Sequence, residues 1–133
     1  MTKLQEDFVG SSDWILALAY ANRSRNANAL AITLDDVPIG VVMTSEVALK
    51  DEPGFYYIDQ FFIDAAHQRC GYGRQAMELA IDALSSEHKF DSIRLDVSKE
   101  DVPAVHLYES LGFTQTGYTD PANPELLFLG LKI

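Results

Sequence analysis

Gln68-Arg69-Cys70-Gly71-Tyr72-Gly73 lies between an extended apolar run, 55–64, and a long helical pattern, 74–87. A strand, a short loop with two close glycines and a helix start form a device for holding a pyrophosphate. Gly71 and Gly73 lack Cβ, so the backbone can approach an anion closely and take unusual dihedrals. The first N–H groups of the helix have no intrahelical partner, and the helix dipole favours negative charge there. Arg69 and Arg74 add countercharge. The competing reading is a tight turn with incidental glycines.

Two nucleotide loops compete with this assignment. A Walker loop requires Gly-Lys-Ser/Thr at its end, whereas Arg74 and Gln75 follow Gly73. The stretch 71–76 does fit the dinucleotide pattern G-x-G-x-x-A, with Asp96 at the expected distance beyond it. That fingerprint, however, begins directly at a strand end. Here Ala65-Ala66-His67-Gln68-Arg69-Cys70 intervene.

The chain has 133 residues, and one domain spanning 1–133 is the expectation. No apolar run approaches the ~20 residues of a membrane span. The first seven residues are polar and acidic, unlike a signal peptide. A single cysteine forms no internal disulfide, so a reducing cytoplasm is the expected location. A net charge of −10 argues against nucleic acid as a partner. It suits a small cationic substrate drawn in by a negative field, or simply a soluble surface.

Along the chain, Ser12 or Asp13 can cap a helix through Trp14 and Tyr20. The stretches 29–34 and 39–45 read as strands joined by a turn at Asp35-Asp36-Val37-Pro38. The run 55–64 is apolar on both faces, as in a central strand. The next helix should bury Ala76, Leu79, Ala80, Ala83 and Leu84. A strand at 92–98 follows. Asp101 can cap a helix that carries Pro103 in its first turn and ends at Gly112. The segments 113–119 and 125–132 close as a hairpin. A strand–helix–strand unit flanked by hairpins defines a mixed α/β sheet.

The loop at 68–73 resembles the Q/R-x-x-G-x-G/A element of the GCN5-related N-acetyltransferase (GNAT) family. Ala104-Val105-His106-Leu107-Tyr108-Glu109-Ser110-Leu111-Gly112-Phe113 is similar to its A-x-x-L-Y-E-x-x-G-F helix. The resemblance covers residues 29–133. It implies a mostly antiparallel twisted sheet with one splayed parallel pair, flanking helices and an abbreviated N-terminal strand and helix. It also implies acetyl-CoA as cosubstrate, with contacts from Phe61, Phe62, Ile63, Gln68, Arg69, Cys70, Gly71, Tyr72, Gly73, Arg74 and Ala104. The stretch 57–64 is similar to the matching strand of diamine and polyamine acetyltransferases, which implies a small cationic amine as acceptor. The family usually has Asn where this chain has Asp101, an acidic residue compatible with the cofactor if it turns away as a helix cap. The short N-terminal region implies a reduced acceptor wall or one completed by a second subunit; a homodimer is the expected assembly.

The family's chemistry assigns three catalytic candidates. Tyr108 is the candidate acid for the leaving thiolate. An unperturbed phenol makes full proton transfer to it uphill by about 2 kcal/mol, so a strengthening hydrogen bond with some lowering of the phenol pKa is expected. The plain alternative is a core-packing tyrosine. Asp59 and Asp96 are mid-strand carboxylates, which strands disfavour. Asp59 matches a catalytic Glu position of polyamine acetyltransferases, and Asp96 matches one in ribosomal-protein acetyltransferases. Either is a candidate base through a relay water, or simply a hydrogen-bonded carboxylate. A protein N-terminus as acceptor, a non-catalytic acyl-CoA-binding domain and an NAD-binding domain are the alternative functions. His67 and His106 show no metal-ligand spacing, so no metal is expected.

Overall fold

The computed structural model describes residues 2–5, 26–68 and 71–133. The expected helix through Trp14 and Tyr20 lies outside these residues, as do Arg69 and Cys70. The elements are β1 (Thr2–Gln5), β2 (Asn28–Leu34), β3 (Val37–Val47), β4 (Phe55–Ile63), α1 (Tyr72–Ser85), β5 (Ser92–Ser98), α2 (Val102–Ser110), β6 (Thr114–Gln115) and β7 (Leu126–Lys132). A one-turn 3-10 helix, Ala65–His67, separates β4 from the glycine loop.

The strands form one sheet in the order β1-β2-β3-β4-β5-β7-β6. Among the described strands, only β4 and β5 run parallel. This is the expected mixed α/β architecture. A doubly wound dinucleotide fold would need a mostly parallel sheet, so the topology sets that alternative aside. The resemblance implied an abbreviated N-terminal strand, but no pattern in residues 2–5 marks β1. Its four residues offer a single apolar side-chain position, and pairing with β2 from Thr2↔Leu34 to Gln5↔Ala31 defines it.

The β2–β3 turn is tighter than expected. Asp35 and Asp36 have φ of 51° and 66°, and Val37 and Pro38 already belong to β3. Two positive-φ residues match the right-handed twist of a two-residue hairpin. Beyond it, β3 and β4 approach closely at Gly40. A Cβ there would stand 2.2 Å from the Phe62 carbonyl oxygen, so only glycine fits.

α1 buries Ala76, Met77, Ala80 and Leu84. The expected stripe included Leu79 and Ala83, which face outward, and omitted Met77, which is fully buried. Both stripes satisfy helical spacing in this Ala-rich segment. Packing against β1 and β4 selects between them, with flexible Met77 filling the gap. The closing hairpin is shorter than expected on its first side, since β6 holds only Thr114 and Gln115.

Tyr56, Ile58, Ile93, Leu95, Val97, Tyr108 and Phe113 join α1 in one core cluster. The Tyr56 hydroxyl accepts from the N–H groups of Lys89 and Phe90, at 3.1 and 3.3 Å, and so ties β4 to the loop entering β5.

Candidate active site

The parallel pairing of β4 with β5 covers Tyr56↔Ile93, Tyr57↔Arg94 and Ile58↔Leu95 and then stops. Each strand continues beyond that point against its other neighbour. β4 stays paired with β3 as far as Ile63↔Gly40, and β5 with β7 as far as Ser98↔Leu126. The two strands therefore part in mid-sheet. The β3–β4 register skips Asp59, placing a bulge at the start of the opening. A cleft of about 650 Å³ fills the gap.

The cleft crosses the sheet. Leu95 and Val97 belong to the helix-side core, whereas Asp96 between them is exposed on the opposite face. All three line the cleft. A molecule threaded from the helix side can thus meet a second molecule arriving from the other face.

Both helices point their N-termini into this space. Gly71 caps α1 in the left-handed region, φ 81°, with no side-chain cap bond. The first backbone bond of the helix runs from the Gln75 N–H to the Gly71 carbonyl. The preceding first-turn N–H groups are the natural donors for an anion. A Cβ on Gly71 would meet nothing within 4 Å, so its surroundings are open. Arg74 lines the cleft and is tethered by an Nη1 donation to Ser110 Oγ at 2.6 Å. Gln68 also lines it and donates from Nε2 to the Ile63 carbonyl at 2.8 Å, fixing the end of β4.

α2 is finished differently. Asp101 Oδ1 accepts from the Ala104 N–H at 3.3 Å. The carboxylate thus caps its own helix, as its place in the sequence suggested.

Tyr108 is 7% exposed, packs edge-on against Phe113 at 5.9 Å and lines the cleft. Its pKa is pushed up to about 12, first by burial and then by the charges of Asp101 and Asp96. This reverses the expected lowering. With the phenol at about 12 and a thiol near ~8.5, full transfer costs roughly 5 kcal/mol. Tyr108 is suited to donate a hydrogen bond to a developing thiolate rather than to surrender its proton.

Most of the site residues expected from sequence converge here. Asp59, Asp96 and Tyr108 line the cleft with Phe61, Phe62, Ile63, Gln68, Gly71, Gly73, Arg74 and Ala104. Tyr72 does not. Its ring packs against the core, 6.2 Å from the His67 ring. His67 in turn is held by Asp64, Nδ1 to Oδ1 at 2.6 Å. Among the described residues, no group of three His, Cys, Asp or Glu could hold a metal. Also among them, no helix is long and apolar enough to cross a membrane. Tyr57, not among the site residues expected from sequence, donates from its hydroxyl to Asp96 Oδ2. The only signal for it was alternation, which puts Tyr57 on the face opposite buried Tyr56 and Ile58.

The donor set fits coenzyme A. The uncapped end of α1 suits a pyrophosphate, and the length of β4 left unpaired on its β5 side suits an extended amide-bearing arm. The chain matches the acetyltransferase (GNAT) family over residues 3–113 and belongs to that family. It is 31% identical over 67 residues to the spermine/spermidine N(1)-acetyltransferase of Bacillus subtilis (strain 168), covering 50% of this chain. It is 28% identical over 78 residues to N-alpha-acetyltransferase 30 of Saccharomyces cerevisiae, covering 59% of this chain. In both cases the match spans 44% of the relative's length. A solved Bacillus subtilis acetyltransferase in complex with CoA superposes with a TM-score of 0.75 at 13% identity, over 100% of this chain and 99% of that one. That likeness shows the fold.

Proposed function

We propose that the protein is an acetyl-CoA-dependent N-acetyltransferase that moves acetyl directly onto a primary amine, with a di- or polyamine as the leading acceptor. The observation that carries the transfer is the cleft itself. It opens between β4 and β5, has the uncapped α1 N-terminus at one end and buried Tyr108 in its wall, and reaches the opposite face at Asp96. In this reading the amides of Tyr72, Gly73 and Arg74 hold the pyrophosphate. The 61–63 backbone lies along the pantetheine arm, and an N–H from it faces the acetyl oxygen as negative charge grows there. Tyr108 donates to the departing sulfur. Asp59 or Asp96 receives the proton that the amine loses.

The acceptor assignment rests on charge and similarity. Asp59, Asp96 and Asp101 line one cleft, so a polycation meets an attractive field on its approach. The polyamine acetyltransferase similarity points the same way. A protein N-terminus is the second reading, favoured by the similarity to a yeast N-alpha-acetyltransferase. A thiol-release assay with spermidine, an unblocked peptide and a neutral amino sugar separates them. Spermidine should turn over fastest, with KM rising as salt screens the attraction. Preferential turnover of the peptide would transfer the assignment to the second reading.

A further inference from the structure

Tyr57 and Asp96 meet where the sheet opens. The last parallel pair is Ile58↔Leu95, and Asp96 is the first β5 residue beyond it. The phenol of Tyr57 reaches from β4 across this point and donates to Asp96 Oδ2. Its ring lies 6.3 Å from Phe55, which in turn carries the Arg94 guanidinium 4.3 Å above its own ring. Opposite Asp96 on β7 is Phe128, covered by Tyr118 at 4.8 Å. A carboxylate on the cleft wall is thus held from one side and flanked by aromatic surface on the other.

We propose that Tyr57 is a positioning residue for acceptor deprotonation, acting through Asp96. The inference rests on the acetyltransferase reading. With Oδ2 engaged by Tyr57 and Asp96 lining the cleft, Oδ1 is the oxygen that an incoming nitrogen meets. A neutral amine attacks the thioester carbonyl carbon. As the C–N bond forms, the nitrogen becomes cationic and acidic, and its proton passes to Asp96 Oδ1, directly or through one water. The C–S bond then breaks, and the thiolate takes a proton from solvent while Tyr108 donates a hydrogen bond to it. Tyr57 keeps its own proton throughout. Its hydrogen bond fixes the orientation of the carboxylate.

The charged and titratable groups around Asp96 are Tyr57 and Asp59 from β4, Arg94 on β5, Tyr108 and Asp101 from α2, and Tyr118 ahead of β7. Among the described residues, Tyr57 is the one that donates to the carboxylate in a side-chain hydrogen bond that spans the opening. Removing its hydroxyl leaves the other groups in place.

Four proteins test this: wild type, Tyr57→Phe, Asp96→Asn and the double variant. Each is assayed with whichever of spermidine or an unblocked peptide the wild type acetylates. Tyr57→Phe keeps the ring and its packing. It should lower kcat roughly 10-fold to 100-fold, the range of a hydrogen bond to a charged group, with the acetyl-CoA KM unchanged. The double variant should be no worse than Asp96→Asn alone, because the two residues act as one unit. Wild-type kcat in Tyr57→Phe would overturn the role of Tyr57 alone. So would simple additivity in the double variant. A wild type that binds CoA yet acetylates neither amine would overturn the reading on which this role rests, and the role with it.

Discussion

Two helices begin at the same cleft, and their N-termini are finished in opposite ways. α1 starts at Gly71, a left-handed residue with no side chain to offer its first N–H groups. α2 starts at Asp101, whose carboxylate accepts from Ala104 and supplies negative charge of its own. An N-terminus sealed by its own carboxylate gains stability, and one left open gains a ligand site. The cleft therefore has a polarity. Anions belong at the α1 end, and the α2 side, with Asp96 beside it, favours cations.

Charge at the α1 end should have the largest effect. Gly71→Glu puts a carboxylate where the pyrophosphate is proposed to sit, and the rise in melting temperature caused by acetyl-CoA should vanish. Gly71→Ala isolates the backbone contribution. A Cβ there strikes nothing, so the change should cost about 1 kcal/mol of stability from left-handed strain while the acetyl-CoA shift survives. Normal acetyl-CoA binding by Gly71→Glu would break the comparison outright.

Next in size is the chemistry between the two ends. Tyr108→Phe should lower kcat roughly 10²-fold or more and leave acetyl-CoA affinity near wild type. An unchanged kcat would return Tyr108 to a packing role.

The α2 end should respond more gently. Asn caps a helix about as well as Asp, so Asp101→Asn should hold stability while removing a negative charge from the cleft. CoA should bind a few-fold tighter by calorimetry. Asp101→Ala should lose about 1 kcal/mol of stability. Weaker CoA binding by the Asn variant would mean that the carboxylate contributes directly to the cofactor site.

A separate effect is expected on stability at high pH. The folded state holds the Tyr108 pKa at about 12, above the ~10 of an unfolded chain. Its contribution is intact below pH ~10 and is lost as pH rises toward 12, by up to roughly 3 kcal/mol. Denaturant melts between pH 9 and 11 should show the wild type losing stability faster than Tyr108→Phe. Parallel losses would mean that the buried phenol ionises as freely as an exposed one.

Much of this site was legible in the sequence because it depends on local backbone devices. Gly71 announces an open helix start, and Asp101 followed by Pro103 announces a capped one. The alternation in Ile93-Arg94-Leu95-Asp96-Val97 is enough by itself to put Asp96 on the face opposite the core. What stayed hidden depends on distant strands. The splay exists because β4 remains bonded to β3, and β5 to β7, after the two stop bonding to each other. No local pattern records that. The Tyr57–Asp96 bond joins residues 39 positions apart. β1 is defined only by its partner strand. In α1, two helical stripes were equally regular, and packing rather than spacing settled that Met77 turns inward.

The most direct test of the open and sealed ends is an amide chemical-shift titration of the folded protein with CoA and, separately, with pantetheine, which lacks the pyrophosphate. CoA should move the amides of Tyr72, Gly73 and Arg74 most, pantetheine should leave those three in place, and the Ala104 amide should keep its bond to Asp101 in both. Equal shifts at the α1 end with pantetheine, or the largest CoA shifts at the start of α2, would contradict this assignment of the two ends.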